Sequence, residues 1–492
     1  MALEIGSRLS HYDVTALIGE GGMGQVYQAT DTKLNRQVAL NLRKHLSRAA
    51  LFSLLFFSLF VSVACGSGES PPNVLIISLE SVRSDHLGVA GYHRPVSPNI
   101  DQLAARGTFF TRAYSQATWT RPSIASMFTS TYQSSHGVLG ETGQGLPIRE
   151  RQLGEHSVLA ETFDTLAEVF HAEGYRTYGW TGNPQVWSGL GFAQGFDEYR
   201  AVGVHDQQLL QNLRRVFSSS ERPFFAFVQF MATHQPYRPR ERFRRYDTNP
   251  NAVLISADTV RQINAGELEL TPEDVEHNIA LYDATIAQVD DALGEVLQDL
   301  QDAGLTDETV IVLTADHGEE FYERGRVAHG APPYETLIHV PLIMAGPGIS
   351  SGISVDVPVQ NIDILPTLTS LVLGRLPEVF QGRDLSQVLG GNNLVAEPVF
   401  AEHEGERAII DGAWKYLVLA ESSELYNLVN DPDERVNLVD NVGYQETRER
   451  LAQMLDSFVA ANQELALGFD GSGSGEFPDD VLEKLRSLGY IR

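Results

Sequence analysis

Cysteine is almost absent from this sequence, since Cys65 is the only one in 492 residues. An intrachain disulfide is therefore excluded, and the cysteine count by itself gives no sign of an oxidising compartment. Basic residues are scarce as well: 36 Lys and Arg stand against 64 Asp and Glu, for a formal net charge of -28. This excess argues against a nucleic-acid partner, because no basic patch would offset the repulsion. It is compatible with metal binding.

A hydrophobic run long enough to cross a membrane is also missing from the N-terminal part. The apolar run at residues 50–64 is shorter than the roughly 20 residues that a spanning helix needs. Basic residues precede it, and it ends at Cys65 before Gly-Ser-Gly, which indicates a secretory signal. The string S-V-A-C resembles a bacterial lipoprotein cleavage site with Cys65 as the lipidated residue; a short uncleaved membrane anchor is the alternative. Both interpretations predict that residues 66–492 are exported to the periplasm or cell surface of a bacterium and tethered to the membrane.

The first residues carry a glycine-rich motif without its usual partners. Residues 19–24 read G-E-G-G-M-G and resemble the phosphate-binding loop of bacterial Ser/Thr protein kinases. The strand that should supply a phosphate-binding Lys reads V-A-L-N at Val38–Asn41, and no H-R-D or D-F-G follows. A segment this short cannot bury a stable core. Residues 1–41 are therefore predicted to be a kinase-like fragment without function.

Four continuous apolar runs predict buried strands of a parallel sheet. They are Asn73–Leu79, Pro223–Met231, Thr309–Thr314 and Val340–Ala345. Helical patterns such as Tyr282–Leu300 lie between them. This alternation predicts an α/β fold in which helices sandwich a mostly parallel sheet.

Polar side chains follow three of these runs directly. Glu80 follows the first, His234 comes shortly after the second, and Asp316 and His317 follow the third. Because sites in open α/β sheets form beyond the carboxyl ends of strands, these residues are predicted to share one site. Two acidic pairs are interpreted instead as solvated helix faces: Glu319-Glu320 and Asp290-Asp291.

The pattern changes near residue 396, where a smaller C-terminal α+β subdomain is predicted. A hairpin pattern at Ala408–Leu419 and a Gly/Ser-rich stretch at 468–475 mark this part of the chain. The predicted division is a signal or anchor segment at 42–65, a linker at 66–72, a catalytic domain at 73–395, the subdomain at 396–466, and a flexible linker with a terminal helix at 467–492.

Taken in order, these segments resemble the sulfatase family of the alkaline-phosphatase superfamily over about residues 73–492. The resemblance is carried by NVLIISLESVRSDHLG, SPNIDQLAARGTFFTRAYSQATWTRPSIASM, HQPY, LTADHGEEF, a downstream His329-Gly330 pair and VPLIMAGPG. It implies the family's α/β fold and an enzyme of the sulfuric ester hydrolase type. It also implies a sulfated or phosphorylated substrate, whether a small molecule, a glycan or a lipid.

The resemblance implies one divalent metal ion as cofactor. Family members hold it with an acidic residue after the first strand, here Glu80, and with an Asp-His or Asp-Asn pair after a later strand, here Asp316-His317. Thr120 is the fourth implied ligand; an ordinary turn is the alternative for the Asp-His pair. Two carboxylates and an imidazole suit Mn or Zn better than Ca. Calcium is usual in sulfatases with Asn in place of this His, so all three ions remain candidates.

Thr120 occupies the position of the family's nucleophile. Residues 120–124 read T-R-P-S-I where sulfatases have Cys or Ser in C/S-x-P-x-R, which is oxidised to formylglycine. Thr cannot become formylglycine, and Ile124 replaces the Arg that steadies it. The Lys-x-x-His segment of many sulfatases is absent, and residues 181–184 read T-G-N-P there. A Thr hydroxyl is nevertheless usable, because a dication lowers its pKa and a helix N-terminus favours the resulting anion.

The other implied catalytic residues have defined roles and structural alternatives. Arg121 would offset charge on sulfate or phosphate oxygens, and His234 or His329 would protonate the leaving group. The alternative for either histidine is a structural place in a loop, and for Thr120 it is a helix N-cap.

Three functions remain open at this point. The first is hydrolysis of sulfate esters through a metal-bound nucleophile. The second is a Thr-nucleophile phosphodiester or phosphonate hydrolase, or a phosphoryl transferase, since the phosphoethanolamine and glycerol-phosphate transferases of the superfamily use a Glu/Thr/Asp/His metal site. The third is an inactive relative that binds a glycan without turnover.

Overall fold

The computed structural model describes residues 71–138, 156–201, 205–246, 249, 251–375, 380–466 and single positions between 474 and 483. Before these, it describes only the backbone of strands between residues 8 and 43. The chain divides into two compact units, Met1–Gly68 and Glu69–Arg492.

The first unit contains a four-stranded antiparallel sheet. Its strands are β1 (Arg8–Leu9), β2 (Tyr12–Gly21), β3 (Gly24–Asp31) and β4 (Arg36–Arg43). The predicted signal or anchor segment and Cys65 lie outside the described residues. Among the helices that the structure describes, none combines the length and the apolar character needed to span a bilayer.

The second unit is built on a nine-stranded sheet in the order β15-β6-β14-β11-β5-β10-β8-β9, with β16 also paired to β6. The strands of this unit are β5 (Asn73–Leu79), β6 (Thr108–Tyr114), β7 (His156–Ser157), β8 (Arg176–Thr181), β9 (Glu198–Arg200), β10 (Phe224–Phe230), β11 (Thr309–Ala315), β12 (Glu320–Phe321), β13 (Val327–Ala328), β14 (His339–Ala345), β15 (Ile353–Val355), β16 (Val359–Gln360), β17 (Val399–His403), β18 (Glu406–Asp411), β19 (Trp414–Val418), β20 (Ser423–Asn427) and β21 (Ser474–Gly475). Two short pairs, β12 with β13 and β7 with β21, lie outside the large sheet.

The large sheet is mostly parallel, which confirms the predicted fold class. The neighbours β11, β5, β10, β8 and β9 all pair in parallel. β14 is the exception, because it runs antiparallel to both β11 and β6. The prediction of a parallel strand at Val340–Ala345 was therefore wrong in direction, since an apolar run reports burial on both faces and carries no information on strand polarity.

The described part of this unit contains several helices, some of which cover both faces of the large sheet. They are α1 (Pro98–Ala105), α2 (Thr120–Thr129), α3 (Gln133–His136), α4 (Leu166–Ala172), α5 (Asp206–Phe217), α6 (Ala257–Asn264), α7 (Pro272–Asp302), α8 (Glu335–Ile338), α9 (Ile364–Leu373), α10 (Ser386–Leu389) and α11 (Gln445–Ala466). Alternate residues of β5 face opposite cores: Leu75 and Ile77 pack with α1, α5 and α7, whereas Val74 and Ile76 pack with α2, α4 and α9. Two apolar faces explain why this strand is a continuous hydrophobic run.

One of the two acidic pairs predicted as solvated is split between the interior and the surface. Asp290 on α7 is buried, and its carboxylate accepts the backbone N–H groups of Asn99 at 2.9 Å and Ile100 at 2.8 Å. These N–H groups belong to the first turn of α1, where an anion is favoured. Asp290 therefore holds α1 on α7, and Asp291 alone is exposed.

The C-terminal subdomain is an antiparallel sheet with one long helix. Strands β17 to β20 pair in sequence order, and α11 packs on the sheet through Leu451 and Leu455. The fully buried Lys415 of β19 forms ion pairs with Glu335 of α8 at 3.0 Å and with Glu434 at 2.7 Å. This buried cluster ties the subdomain to the segment that precedes β14.

Candidate active site

The site lies at the carboxyl ends of two neighbouring parallel strands. Glu80 follows the end of β5, and Asp316 and His317 follow the end of β11, which is the parallel neighbour of β5. Each of these side chains offers a ligand atom, and the three atoms lie within 4.8 Å of one another. All three residues are 0 % exposed. Residues far apart in the sequence therefore meet because the sheet is parallel at this point.

Thr120 lies beside this cluster. It is the first residue of α2, and the N-cap position belongs to Trp119. The Thr120 hydroxyl Oγ1 donates to Glu80 Oε1 at 2.9 Å and lies 3.4 Å from His317 Nε2. The hydroxyl is thus directed into the acidic cluster, which favours a role in the site over that of a helix N-cap.

The orientation of the His317 ring is set by the backbone. Nδ1 lies 2.8 Å from the carbonyl oxygen of Gly318, to which it donates, so in the neutral ring the lone pair is on Nε2. Nε2 lies 3.6 Å from Glu80 Oε1 and 3.5 Å from Asp316 Oδ2. An imidazole held by a carbonyl on one nitrogen and presented to carboxylates on the other is the usual arrangement of a metal-binding histidine.

These donors fit a divalent cation. A four-coordinate ion with bonds of about 2.1 Å separates its ligand atoms by about 3.4 Å. The distances among Thr120 Oγ1, His317 Nε2 and the carboxylate oxygens of Glu80 and Asp316 run from 2.9 to 3.6 Å. The charges point the same way: burial and the neighbouring Glu80 raise the pKa of Asp316. Against the effect of burial, Asp316 and Glu80 raise the pKa of His317. A dication held by these donors would offset the negative charge of the two buried carboxylates.

Two amide side chains that the sequence analysis did not select complete the cluster. Asn183 Nδ2 donates to Glu80 Oε2 and to Thr120 Oγ1, both at 3.1 Å. Gln229 Nε2 donates to Glu80 Oε2 at 2.6 Å and to Asp316 Oδ2 at 3.1 Å. The available signal for Gln229 was a polar residue inside the apolar run of β10. For Asn183, the sequence indicated only that residues 181–184 differ from the corresponding segment of many sulfatases.

Of the two histidines predicted as proton donors, His329 lies next to His317, and His234 lies next to His329. The ring centroids of His329 and His317 are 4.4 Å apart, and those of His329 and His234 are 5.2 Å apart. His329 Nδ1 lies 3.0 Å from Glu319 Oε1, and Tyr237 donates to Glu319 Oε2 at 2.9 Å. Burial lowers the pKa of His234 to about 3, and burial together with His317 lowers the pKa of His329 well below its usual value.

The prediction that Glu319 and Glu320 form a solvated helix face was wrong. Glu319 is 0 % exposed and Glu320 is 1 % exposed. Glu320 is the first residue of strand β12, and Glu319 comes directly before it. The Glu319 carboxylate is turned inward because Tyr237 and His329 hydrogen-bond to it. A sequence pattern of two adjacent acids does not reveal such partners, which come from other loops.

Arg121 is in the first turn of α2 and is almost fully buried. Its Nε donates to the backbone oxygen of Gln185 at 3.1 Å, and its guanidinium also contacts the Gln185 side chain. The guanidinium lies 5.5 Å from the ring centre of Trp119. These contacts hold Arg121 against the short 3₁₀ helix at Pro184–Val186, which directly follows Asn183.

Comparisons with known sequences agree with this architecture. The sequence model of the sulfatase family matches residues 72–374, and a model described as N-sulphoglucosamine sulphohydrolase, C-terminal, matches residues 332–461. A sulfatase of Formosa agariphila is 26% identical over 444 residues, which covers 78% of this chain and 86% of that protein. A choline-sulfatase of Rhizobium meliloti is 26% identical over 434 residues, covering 75% of this chain and 83% of that protein.

Solved structures show the same fold at low sequence identity. A phosphonate monoester hydrolase of Agrobacterium radiobacter superposes with a TM-score of 0.65 at 23% identity, covering 80% of this chain and 96% of that chain. A 2-O GAG sulfatase superposes with a TM-score of 0.67 at 20% identity, covering 84% and 96%. At these identities the likeness concerns the fold, and the substrate has to be argued from the chemistry of the site.

Proposed function

Because this chain belongs to the sulfatase family, a family of sulfuric ester hydrolases, we propose that it hydrolyses sulfate esters with the Thr120 hydroxyl as nucleophile. The observation that carries the proposal is the contact of Thr120 Oγ1 with Glu80 Oε1 at 2.9 Å and its approach to His317 Nε2 at 3.4 Å. A hydroxyl buried among a carboxylate and an imidazole, at the start of a helix, is in the setting that activates a weak nucleophile.

A divalent cation held by Glu80, Asp316 and His317 would lower the pKa of the Thr120 hydroxyl and offset charge on the sulfate oxygens. Mn, Zn and Ca are the candidate ions, and the single imidazole among the donors favours Mn or Zn. Asn183 Nδ2 and the N-terminus of α2 supply further positive potential at Thr120 Oγ1, and Arg121, the next residue of that helix, is the proposed partner of the sulfate oxygens.

The reaction has two steps. The Thr120 hydroxyl gives its proton to Glu80 Oε1, which accepts its hydrogen bond at 2.9 Å and passes the proton on to solvent. Oγ1 then forms a bond to sulfur as the bond between sulfur and the ester oxygen breaks. The ester oxygen leaves with the electron pair and takes a proton. Water then attacks the sulfur, the bond from sulfur to Oγ1 breaks, and Oγ1 regains a proton. The sum is sulfate ester plus water giving alcohol, sulfate and one proton.

His234 and His329 are the proposed donors of the proton to the leaving oxygen. Their lowered pKa values make both rings neutral at pH 7 before substrate binds. A sulfate monoanion bound beside them would raise both pKa values, since an opposite charge favours the protonated ring. Proton uptake is thereby coupled to substrate binding.

A second candidate function is hydrolysis of phosphodiesters or phosphonates, or transfer of a phosphoryl group to another alcohol. The observation that favours it is the environment of Ile124, which is fully buried in the apolar core between the sheet and α9. The position that steadies formylglycine in sulfatases is therefore part of the core here. The nucleophile is a plain alcohol, and alcohol nucleophiles also serve phosphoryl transfer.

The deciding experiment compares an aryl sulfate, a bis-aryl phosphate and an aryl phosphonate as substrates of the full chain with Mn, Zn or Ca. The proposal predicts sulfate turnover that Thr120→Val abolishes. Phosphodiester or phosphonate turnover without sulfate turnover would replace the first candidate by the second. Binding of a sulfated or phosphorylated glycan with no turnover of any substrate would identify an inactive binding protein.

The proposal extends to location and domain roles on sequence grounds. Export and membrane tethering through Cys65 or through the apolar run at 50–64 are proposed, with 73–395 as the catalytic domain and 396–466 as its supporting subdomain. In a bacterial host the full chain is expected in the membrane fraction with a fatty-acid label. Cys65→Ser should remove that label; a membrane-bound chain that never carries one would support the uncleaved anchor.

A further inference from the structure

The segment after β8 presents one amide to the centre of the site in a defined orientation. Thr181 ends β8, and its hydroxyl accepts the backbone N–H of Asn183 at 3.0 Å. Asn183 Oδ1 accepts the backbone N–H of Gln185 at 2.9 Å. Because a backbone N–H can only donate, the atom facing Gln185 must be the oxygen. The nitrogen Nδ2 of Asn183 therefore faces the cluster.

The two hydrogens of this nitrogen have two acceptors. Nδ2 lies 3.1 Å from Thr120 Oγ1 and 3.1 Å from Glu80 Oε2. The Thr120 hydroxyl directs its own hydrogen to Glu80 Oε1, so the hydrogen from Asn183 falls on a lone pair of Oγ1. Asn183 and Thr120 are both fully buried, and water is not needed to complete this arrangement.

We infer that Asn183 is a further catalytic residue, which stabilises negative charge on Thr120 Oγ1 when the covalent intermediate breaks down. The inference rests on the proposed function, because it takes Oγ1 as the nucleophile. In the second step the bond between sulfur and Oγ1 breaks and its electron pair returns to Oγ1. A preorganised N–H donor 3.1 Å from that atom is placed where the charge develops.

The two steps should depend on Asn183 to different degrees. During attack Oγ1 loses negative charge to the new bond, so a hydrogen bond to Oγ1 gives no advantage there. During breakdown Oγ1 gains negative charge, and the hydrogen bond strengthens. Removal of the donor is therefore expected to slow breakdown by about 100-fold, the usual effect of one lost donor to a developing oxyanion, and to slow attack much less.

The test uses the full chain with Asn183→Ala and Asn183→Asp. The second variant keeps an oxygen acceptor for Gln185 and replaces the N–H donor by an oxygen, so it changes charge with little change in shape. Asn392→Ala, at an exposed asparagine far from the cluster in sequence, is the matched control. Steady-state kinetics on an aryl sulfate are combined with mass spectrometry of the peptide that contains Thr120.

The expected result is a fall in kcat of about 100-fold in Asn183→Ala with a much smaller fall in kcat/KM, since kcat/KM reports the first step. The Thr120 peptide should carry a sulfo group during turnover. A kcat within about threefold of wild type, or equal falls in kcat and kcat/KM without a sulfo-peptide, would overturn the inference. If Asn183→Ala does not fold, the same criteria apply to Asn183→Asp, which is checked by its thermal unfolding midpoint.

Failure of the proposed function gives a different pattern. Turnover by the Thr120→Val variant would show that Oγ1 is not the nucleophile. This result would refute both the proposed function of Thr120 and the proposed role of Asn183. An inactive Thr120→Val with a fully active Asn183→Ala would leave the nucleophile in place and reject the role of Asn183 alone.

Discussion

Replacing Thr120 by Val exchanges the hydroxyl for a methyl group and leaves the size and branching of the side chain almost unchanged. Thr and Val have the same branched shape, so the buried space at the start of α2 stays filled. The lost contacts are the hydrogen bond to Glu80 Oε1 at 2.9 Å and the one from Asn183 Nδ2 at 3.1 Å. Thr120→Ser provides the converse change, since it keeps the hydroxyl and loses only the methyl group.

The two variants should separate stability from catalysis. A hydrogen bond to a charged group contributes about 1.5–3 kcal/mol, so Thr120→Val should lower the free energy of unfolding by about that amount. Thr120→Ser should lower it by about 1 kcal/mol, because one buried methyl group is lost. Loss of the nucleophile should reduce turnover by about 10⁴-fold or more. Thr120→Ser should remain within about tenfold of wild type, because only the rotamer restriction of the branched side chain is lost.

The assay is aryl sulfate turnover in metal-loaded protein, with denaturant unfolding of each variant as the control for folding. Folded Thr120→Val with wild-type turnover would refute the role of the hydroxyl. Equal inactivity of folded Thr120→Ser would also contradict the reasoning, because it would show that the methyl group matters as much as the oxygen.

Three other predictions follow from the same structure. Ile124→Arg should lower the free energy of unfolding by at least about 4 kcal/mol, because it puts an unpaired charge into an apolar core. Ile124→Val should lower it by only about 1 kcal/mol. Denaturant titration measures both values, and equal stabilities of the two variants would contradict the placement of Ile124 in the core. Removal of the metal with a chelator should abolish turnover and lower the midpoint of thermal unfolding, since two buried carboxylates lose their counter-charge. Added Mn or Zn should restore both. Full activity at negligible metal content would exclude the metal site. Lys415→Met should cost about 3 kcal/mol, because it removes the ion pair with Glu335 and leaves the buried Glu434 with Arg324 as its remaining cation. A second change, Glu434→Gln, should recover part of the loss in the double variant.

Several features were predictable because they depend on local pattern and strand polarity. Apolar runs followed at once by polar residues placed Glu80 and Asp316-His317 at strand ends, and a parallel sheet brings such ends to one edge. The fold class followed from the alternation of strands and helices, and the C-terminal subdomain followed from the change to a hairpin pattern near residue 396. The position of Thr120 next to the cluster was an expectation from the resemblance, and the structure puts its hydroxyl there.

Other features had no local signal. The direction of β14, the burial of Glu319 and the inward capping role of Asp290 each depend on partners from distant segments. Asn183 is the clearest case, because its donor contacts join residues 80, 120 and 183. A hydrogen bond between side chains so far apart in sequence leaves no periodicity to detect.

The sequence by itself determined which segments are buried, where strands end and which polar residues stand at those ends, because burial and chain reversal are imposed residue by residue through hydrophobicity and backbone preference. Only the tertiary structure decided which polar groups face one another. Whether a carboxylate lies in water, caps a helix or receives an amide depends on the atoms that other elements bring within about 3 Å of it, and those atoms are placed by the packing of the whole sheet.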